Sequence, residues 1–314
     1  MRTLVCSSLF VSTALLYGQT PPREAVYGGA VILGGQTVPR FDQGYLVYLH
    51  QPKRLQVFGP DTQLAYEMEV SCPAGVPRCG AGGFGVSRAG VVAIQIGYPT
   101  GNTYASGILL LDPKGHEIRF FLTGNYVADQ FAFDKDGNLW TVGWERDPVT
   151  NSNRKEPFQL VHKYSAEGKP LGEYLSSSLW NSRISTGMRG YWTMYAAKDR
   201  IGVMVNEHFD GRVPEWVEWD LNGRLLQRTL LMETPRLYSR GYAGTGQLYA
   251  QFPVNQETQE FALRMLDKAT GKWTPVQSNL PAGTSAFLLG ADGEDLVYRL
   301  NGGGNVHLIW ARPE

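Results

Sequence analysis

The sequence contains little of what metal centres, disulfide scaffolds and nucleic-acid-binding surfaces are usually made of. Its 314 residues include only three cysteines and five histidines, and no HExxH, no GxSxG and no cluster of His and Cys occurs. The 29 basic and 29 acidic residues give a formal net charge of zero. Because such a chain has no overall field to attract a polyanion, we expect no nucleic-acid partner.

Long apolar runs are also scarce. Residues 4–16 form an apolar run behind Met1 and Arg2, and Gly18 follows as a small residue at a cleavage point. This pattern predicts a signal peptide over 1–18, because the run is too short for a permanent transmembrane helix. A lipid-anchored Cys6 is the alternative. We therefore expect an exported protein, periplasmic or secreted, with one domain over 19–314 and no integral membrane segment in the mature chain.

Removal of the signal peptide would leave two cysteines, Cys72 and Cys79. In an oxidising compartment a pair this close in sequence indicates a local disulfide, here across the loop Cys-Pro-Ala-Gly-Val-Pro-Arg-Cys. Metal binding by the two thiols and a redox pair are the alternatives.

An apolar stretch, a polar turn and a second alternating apolar stretch recur six times along the chain. The spacings between the turn residues are 46, 47, 63, 46 and 47. These turn residues are Gly44, Gly90, Gly137, Arg200, Gly246 and Gly293. Periods of this length with strand patterns inside each unit are typical of a β-propeller. The sequence predicts an all-β fold with six blades of four antiparallel strands.

The sixth unit ends too early for a fourth strand, because the chain stops at Glu314. Residues 26–33, Val-Tyr-Gly-Gly-Ala-Val-Ile-Leu, stand at about the offset where other units carry their last strand. We expect this N-terminal strand to complete the last blade, since ring closure removes exposed sheet edges.

The single long spacing shows where residues are inserted. The 16 extra residues of unit three fall in two loops, 145–157 and 176–190. In a four-stranded blade, the loop after the second strand and the loop leaving the fourth emerge at the same end. We therefore expect both insertions and the loop 72–79 at one end of the ring, where long loops on a rigid scaffold tend to carry binding residues.

Polar and aromatic residues are concentrated in the segments assigned to that end. Such side chains suit sugars, peptides or small polar ligands. The candidate ligand-binding residues are Tyr98, Asp129, Trp144, Glu145, Arg183, Asn206, His208 and Arg240. Solvated loop residues and contacts between blades are the alternative interpretation. If the axis held a cation, Asp129, Glu145 and Asn206 would be its ligands, with Glu145 and His208 as candidate catalytic residues.

Two further motifs are interpreted structurally. The segment Gly80-Ala-Gly82-Gly-Phe-Gly85 matches GxGxxG, but a strand follows it where a dinucleotide site requires a helix. Residues 134–138, Asp-Lys-Asp-Gly-Asn, resemble part of a calcium loop but lack the later acidic ligand, so we interpret them as a hairpin turn.

Several of the repeats resemble those of six-bladed propellers of the NHL-repeat, YVTN and TolB-like groups. The matching elements are Phe131-x-Phe-Asp-x-Asp-Gly-Asn-Leu-Trp140, Leu109-Leu-Leu-Asp112-Pro-Lys-Gly115 and Trp219-Asp220-Leu-Asn-Gly223. The resemblance covers nearly the whole mature chain and implies the propeller fold. Some members of these groups bind proteins or peptides, and others hydrolyse lactones or open rings with an axial metal. The surroundings of Glu24 and Asn206 do not match the gluconolactonase motifs.

Two hypotheses of different class follow. The first is an exported binding module without catalysis that recognises a peptide, glycan or partner protein at the long-loop end and needs no cofactor. The second is a metal-dependent, lactonase-like hydrolase or lyase at the axis, requiring Ca²⁺ or another divalent cation. Nothing in the sequence indicates an oligomeric state.

Overall fold

The computed structural model contains six four-stranded antiparallel sheets, so the predicted all-β, six-bladed propeller is confirmed. The structure describes residues 22–27, 39–50, 54–147, 150, 154, 157–180, 192–205, 214–233, 239–255, 260–280, 284–300 and 306–314. The predicted signal peptide lies outside these residues. In the described part of the chain, the one helix is the 3₁₀ turn Ser177–Trp180, and no helix is long and apolar enough to cross a membrane.

Blades 1 to 3 each use four consecutive strands. Blade 1 consists of β2 (Arg40–Asp42), β3 (Tyr45–His50), β4 (Arg54–Phe58) and β5 (Leu64–Glu69). Blade 2 consists of β6 (Gly80–Val86), β7 (Val92–Thr100), β8 (Thr103–Leu111) and β9 (Glu117–Gly124). Blade 3 consists of β10 (Tyr126–Phe133), β11 (Leu139–Glu145), β12 (Gln159–Tyr164) and β13 (Pro170–Ser176).

Blades 4 and 5 repeat this order, and blade 6 takes its outer strand from the beginning of the chain. Blade 4 consists of β14 (Trp192–Ala196), β15 (Arg200–Val205), β16 (Glu215–Asp220) and β17 (Leu225–Leu230). Blade 5 consists of β18 (Arg240–Tyr242), β19 (Leu248–Asn255), β20 (Glu260–Asp267) and β21 (Lys272–Pro275). Blade 6 consists of β22 (Ala286–Asp292), β23 (Asp295–Leu300), β24 (Val306–Ala311) and β1 (Arg23–Tyr27).

Closure by an N-terminal strand is confirmed, but with different bounds. The strand begins three residues earlier than predicted, at Arg23, and pairs with β24 from Arg23 opposite Trp310 to Tyr27 opposite Val306. Tyr27 is buried and meets Phe58 of blade 1 edge to face at 5.7 Å. Val26 is exposed whereas Tyr27 is buried, so the side chains of this strand alternate between solvent and core. This alternation, rather than the apolar character of residues 26–33, sets the register of the strand. Residues 28–33 of the predicted strand lie outside the described residues.

The first strand of each blade in chain order lies nearest the axis, except in blade 6, where β22 takes that place. Neighbouring inner strands are in contact, as β10 is with β6 and β14. Connections from the first to the second strand, and from the third to the fourth, lie at one end of the ring, which we call the turn end. The remaining connections, including those between blades, lie at the opposite end, the long-loop end.

Several turns at the turn end share the same hydrogen bonds between an aspartate side chain and the backbone. In three turns an aspartate carboxylate accepts hydrogen bonds from the backbone N–H groups two and four residues later, at 2.8–3.0 Å. These aspartates are Asp112, Asp134 and Asp220. Asp134 also accepts from the indole N–H of Trp140 at 3.0 Å. The calcium-like segment 134–138 is therefore a turn whose first carboxylate is occupied by the fold itself.

The GxGxxG segment is part of the strand β6, and its glycines permit close contact with blade 3. A Cβ on Gly83 would lie 1.8 Å from the carbonyl oxygen of Asp129, and one on Gly85 would lie 2.7 Å from the Cβ of Phe131. Any side chain at Gly83 would therefore displace backbone. The motif serves packing between blades.

Candidate functional site

The predicted disulfide between Cys72 and Cys79 is confirmed. It closes the connection from β5 to β6, which places it at the long-loop end. Val76 and Cys79 pack against the apolar cluster that contains Tyr98. Tyr98, a candidate ligand-binding residue, is 8% exposed and belongs to this cluster. Its ring meets that of Phe120, in the same blade, at 6.3 Å, so it contributes to the packed core.

The two insertions of blade 3 leave the same end and are tied together at their bases. The backbone N–H of Phe158 donates to Oγ of Ser177 at 2.9 Å, and the N–H of Ser177 donates to the carbonyl of Phe158 at 2.8 Å. Arg154 bonds back to Glu145 through its backbone N–H at 2.9 Å. These bonds fix where both long loops rise from the blade.

A cationic side chain contacts two aromatic rings where blades 2 and 3 meet at the long-loop end. The guanidinium of Arg146 lies 4.8 Å from the ring centroid of Tyr104 and 5.2 Å from that of Trp144. Partial burial lowers the pKa of Arg146, which stays protonated at neutral pH. Tyr104 is 43% exposed. We call Tyr104, Trp144 and Arg146 the rim stack.

The candidates Glu145 and Asp129 occupy different places on blade 3. The carboxylate of Glu145 forms an ion pair with Arg154 at 2.6 Å, and Glu145 lies opposite Tyr126, at the long-loop end of the blade. Asp129 is the extra residue of a β-bulge in β10, next to the axis. Three positions along β10 separate Asp129 from Tyr126, which is about 10 Å of strand. The charges of both carboxylates add to the effect of burial, which raises the pKa of Tyr126.

The axis of the ring is crossed by Arg40 of blade 1. Its Nη2 donates to Oδ2 of Asp42 at 2.9 Å and to the carbonyl oxygen of Met194 in blade 4 at 3.0 Å. Its Nη1 approaches the carbonyl oxygen of Phe84 and Oε1 of Gln130, both at 3.5 Å. One side chain thus reaches the inner strands of blades 2, 3 and 4.

Arg240 and Tyr195 complete this group, which we call the axial cluster (Arg40, Asp42, Gln130, Tyr195 and Arg240). Arg240 is 1% exposed, and burial lowers its pKa to about 10, so it remains charged at neutral pH. Burial raises the pKa of Tyr195, while the charges of Arg240 and Arg40 oppose that rise. Burial likewise raises the pKa of Asp42 against the opposing charge of Arg40.

The remaining candidates Arg183, Asn206 and His208 lie outside the described residues. Within the described ranges, no group of three or more His, Cys, Asp and Glu side chains is placed to hold a metal ion. Of the candidate cation ligands, Asp129 and Glu145 belong to the described residues and Asn206 does not.

Sequence reasoning missed Arg40, Asp42 and Tyr195. A signal was present, because Arg40 and Asp42 alternate in one short inner strand and so lie on one side of it. Arg240 has a related signal. Arg240 is paired with Ala250 in blade 5, and the equivalent pairs are Phe131 with Thr141 in blade 3 and Phe84 with Ile94 in blade 2. Blade 5 therefore has an arginine at a strand position where blades 2 and 3 have a phenylalanine.

The chain matches no known family profile, and no curated protein matches it in sequence. Solved structures with similar folds include a gluconolactonase from Xanthomonas campestris, with 11% identity, coverage of 93% of this chain and 95% of that one, and a TM-score of 0.47. A glucose dehydrogenase is 14% identical, and the alignment covers 92% of this chain and 99% of that one, with a TM-score of 0.44. A protein of unknown function from Bacteroides caccae is 13% identical, and the alignment covers 77% of this chain and 81% of that one, with a TM-score of 0.44. These likenesses carry no functional argument.

Proposed function

We propose that the protein is an exported binding module that recognises a peptide, a glycan or a partner protein at the long-loop end of the propeller. The rim stack is the observation that carries this proposal. The exposed ring of Tyr104, held beside a cation and the half-buried Trp144, provides contact area at low entropic cost, and Tyr, Trp and Arg dominate the binding energy of known interfaces. A propeller scaffold by itself implies no activity, so the evidence for binding lies in these side chains.

Three features support placing the ligand beside the rim stack. Arg146 holds Tyr104 and Trp144 in a fixed relation across the border of two blades. The ion pair of Glu145 with Arg154 adds two charged groups within the same loop. The disulfide between Cys72 and Cys79 stiffens the neighbouring connection. A ligand that stacks on Tyr104 would therefore meet a preorganised surface.

Binding is tested by presenting purified protein to glycan and peptide arrays and measuring the affinity of the ligands that it retains. Tyr104→Ala and Arg146→Gln are expected to weaken that affinity by roughly thirtyfold, equivalent to about 2 kcal/mol for a hot-spot residue. Arg224→Gln is the matched control, because Arg224 is an exposed arginine of the turn end, paired with Asp220 at 3.1 Å. Its affinity should equal that of the wild type.

Two results would contradict this proposal. One is retention of no ligand by the wild type, and the other is equal weakening by Arg146→Gln and Arg224→Gln. The metal-dependent hydrolase or lyase predicts a different pattern: turnover of a lactone that a chelator abolishes and Ca²⁺ restores. That result would favour the alternative with Asp129, Glu145, Asn206 and His208.

A further inference from the structure

His162 connects the places where the two insertions of blade 3 begin. It belongs to β12 and is 7% exposed. Nε2 donates to the carbonyl oxygen of Gln159 at 3.2 Å, and Gln159 is paired with Ser176 at the start of the second insertion. The imidazole also stacks on Tyr126, with ring centroids 3.7 Å apart, and Tyr126 is paired with Glu145 at the start of the first insertion. One ring is therefore tied to the bases of both long loops.

The hydrogen bonds of this ring fit its neutral form. Because Nε2 donates to a carbonyl, Nδ1 accepts from the hydroxyl of Tyr164 at 3.1 Å. A second proton would lie on Nδ1, where it would meet the hydrogen that Tyr164 donates. Burial also lowers the pKa of His162 to about 4. The folded protein therefore resists protonation of this side chain.

The charges around His162 do not offset its burial. Glu145 favours the protonated ring, but burial has the larger effect on the pKa. Tyr126 and Tyr164 share a core cluster with blade 2 and stay neutral in acid, since burial raises the pKa of both hydroxyls. The charged residues on the strands of blades 2 and 3 are Glu117 and Arg119 on β9, Asp129 on β10, Glu145 on β11, Lys163 on β12 and Glu173 on β13.

Opening the base of the loops would release this constraint. The aromatic partners of the ring belong to a buried cluster, whereas Gln159 and Ser176 lie at strand ends, which open more readily than strand centres. Next to them, the N–H of Ser177 donates to the carbonyl of Phe158 at 2.8 Å. An opening that extends from Phe158 to Gln159 frees Nε2 and admits water to the ring. Opening therefore becomes more favourable as the pH falls from 6.5 toward 4.

We propose that His162 is an acid-sensitive latch on the base of the long loops. Its neutral ring keeps the pair of Phe158 and Ser177 closed, and its protonation opens that pair while the rest of the propeller stays folded. Acid would thereby alter the surface at the long-loop end. That consequence for binding rests on the proposed function, whereas the latch itself does not.

Blade 4 supplies a matched control bond. There the N–H of Leu231 donates to the carbonyl of Pro214 at 2.7 Å, at the same place in the blade as the bond of Ser177. The position equivalent to His162 is occupied by Glu218 in blade 4. An acid effect that arises from Glu218 is the same in the wild type and in a variant of His162, so it cancels when the two proteins are compared.

The test is amide hydrogen exchange of the intact protein at pH 7 and 4.5, corrected for the intrinsic exchange rates. Between these values the protection of the Ser177 amide is expected to fall roughly fiftyfold more in the wild type than in His162→Gln, because opening lets the ring bind a proton. The Leu231 amide should respond alike in both proteins.

His162→Gln loses the ring that stacks on Tyr126 and so can impair folding. Tyr164→Phe is the second variant, because it keeps the ring and removes the hydroxyl bonded to Nδ1. The neutral ring then loses a hydrogen bond, so the fall in protection should begin at a higher pH. The proposal is overturned if the Ser177 amide responds alike in the wild type and His162→Gln, or if the Leu231 amide separates these proteins equally strongly. An unchanged pH dependence in Tyr164→Phe would overturn it as well.

Discussion

His162 makes the stability of blade 3 sensitive to acid. Its ring stacks on Tyr126 with centroids 3.7 Å apart and planes 9° apart. Nε2 lies 3.2 Å from the carbonyl oxygen of Gln159, and Nδ1 lies 3.1 Å from the hydroxyl of Tyr164. Because a carbonyl only accepts, Nε2 carries the proton and Nδ1 accepts from Tyr164. The neutral imidazole is therefore fully hydrogen-bonded.

Burial lowers the pKa of His162 from 6.5 to about 4, against the opposing effects of the Gln159 carbonyl and the charge of Glu145. In the unfolded chain the imidazole takes up a proton near pH 6.5, whereas the folded protein resists protonation until near pH 4. The contribution of His162 to stability is thus complete above pH 6.5 and is lost as the pH falls toward 4. At about 1.4 kcal/mol per tenfold difference in proton affinity, the loss is about 3 kcal/mol.

The assay is urea unfolding of the wild type and of His162→Gln at several pH values between 6.5 and 4. We expect the free energy of unfolding of the wild type to fall by about 3 kcal/mol more than that of the variant over this range. Leu171→Gln is the control, because Leu171 is a 50% exposed residue of the same blade without a titratable group, so the wild-type slope should be unchanged. Equal slopes for the wild type and His162→Gln would refute the reasoning.

Two further predictions concern the contact between blades and the disulfide. Gly83→Ala should lower the free energy of unfolding in urea by about 1–3 kcal/mol, because its Cβ would lie 1.8 Å from the carbonyl oxygen of Asp129. Gly80→Ala is the control and should leave stability unchanged, because a Cβ there has no other atom within 4 Å. Equal effects of the two substitutions would contradict the close packing at Gly83. Replacing Cys72 and Cys79 by serine should lower the free energy of unfolding by about 2–3 kcal/mol. Adding a reductant should bring the wild type to the same value, and an unchanged wild type would contradict that assignment.

The sequence was sufficient for the architecture because turns repeat their chemistry in every unit. Gly137 adopts a φ of 80° and Gly223 one of 86°, conformations that favour glycine, and glycines of this kind occur at a turn in every blade. The closing strand was placed less accurately. Its register depends on Tyr27 packing against Phe58 from another blade, a contact that no local pattern shows.

The site was less predictable because it depends on contacts between distant residues. Arg40 meets the carbonyl oxygen of Met194, 154 positions later in the chain. The position of Trp144 after a hairpin makes it a candidate, but Tyr104, which contacts the same arginine, comes from another blade. Tyr98 was selected because it lies close to a loop, but in the folded protein it belongs to a buried apolar cluster. Side-chain type indicated the chemistry, and only the closed ring brought the groups together.

Ring closure is the central claim, because the two ends and the axis are defined by it. Val26 and His307 are register partners across β1 and β24. Paired strand residues have Cα atoms about 4.5–5.5 Å apart, within the range of a disulfide. We predict that Val26→Cys with His307→Cys forms an intramolecular disulfide in the folded protein, detected by peptide mass mapping, while Val26→Cys with Leu171→Cys stays reduced. A folded Val26→Cys, His307→Cys protein with two free thiols would contradict the account.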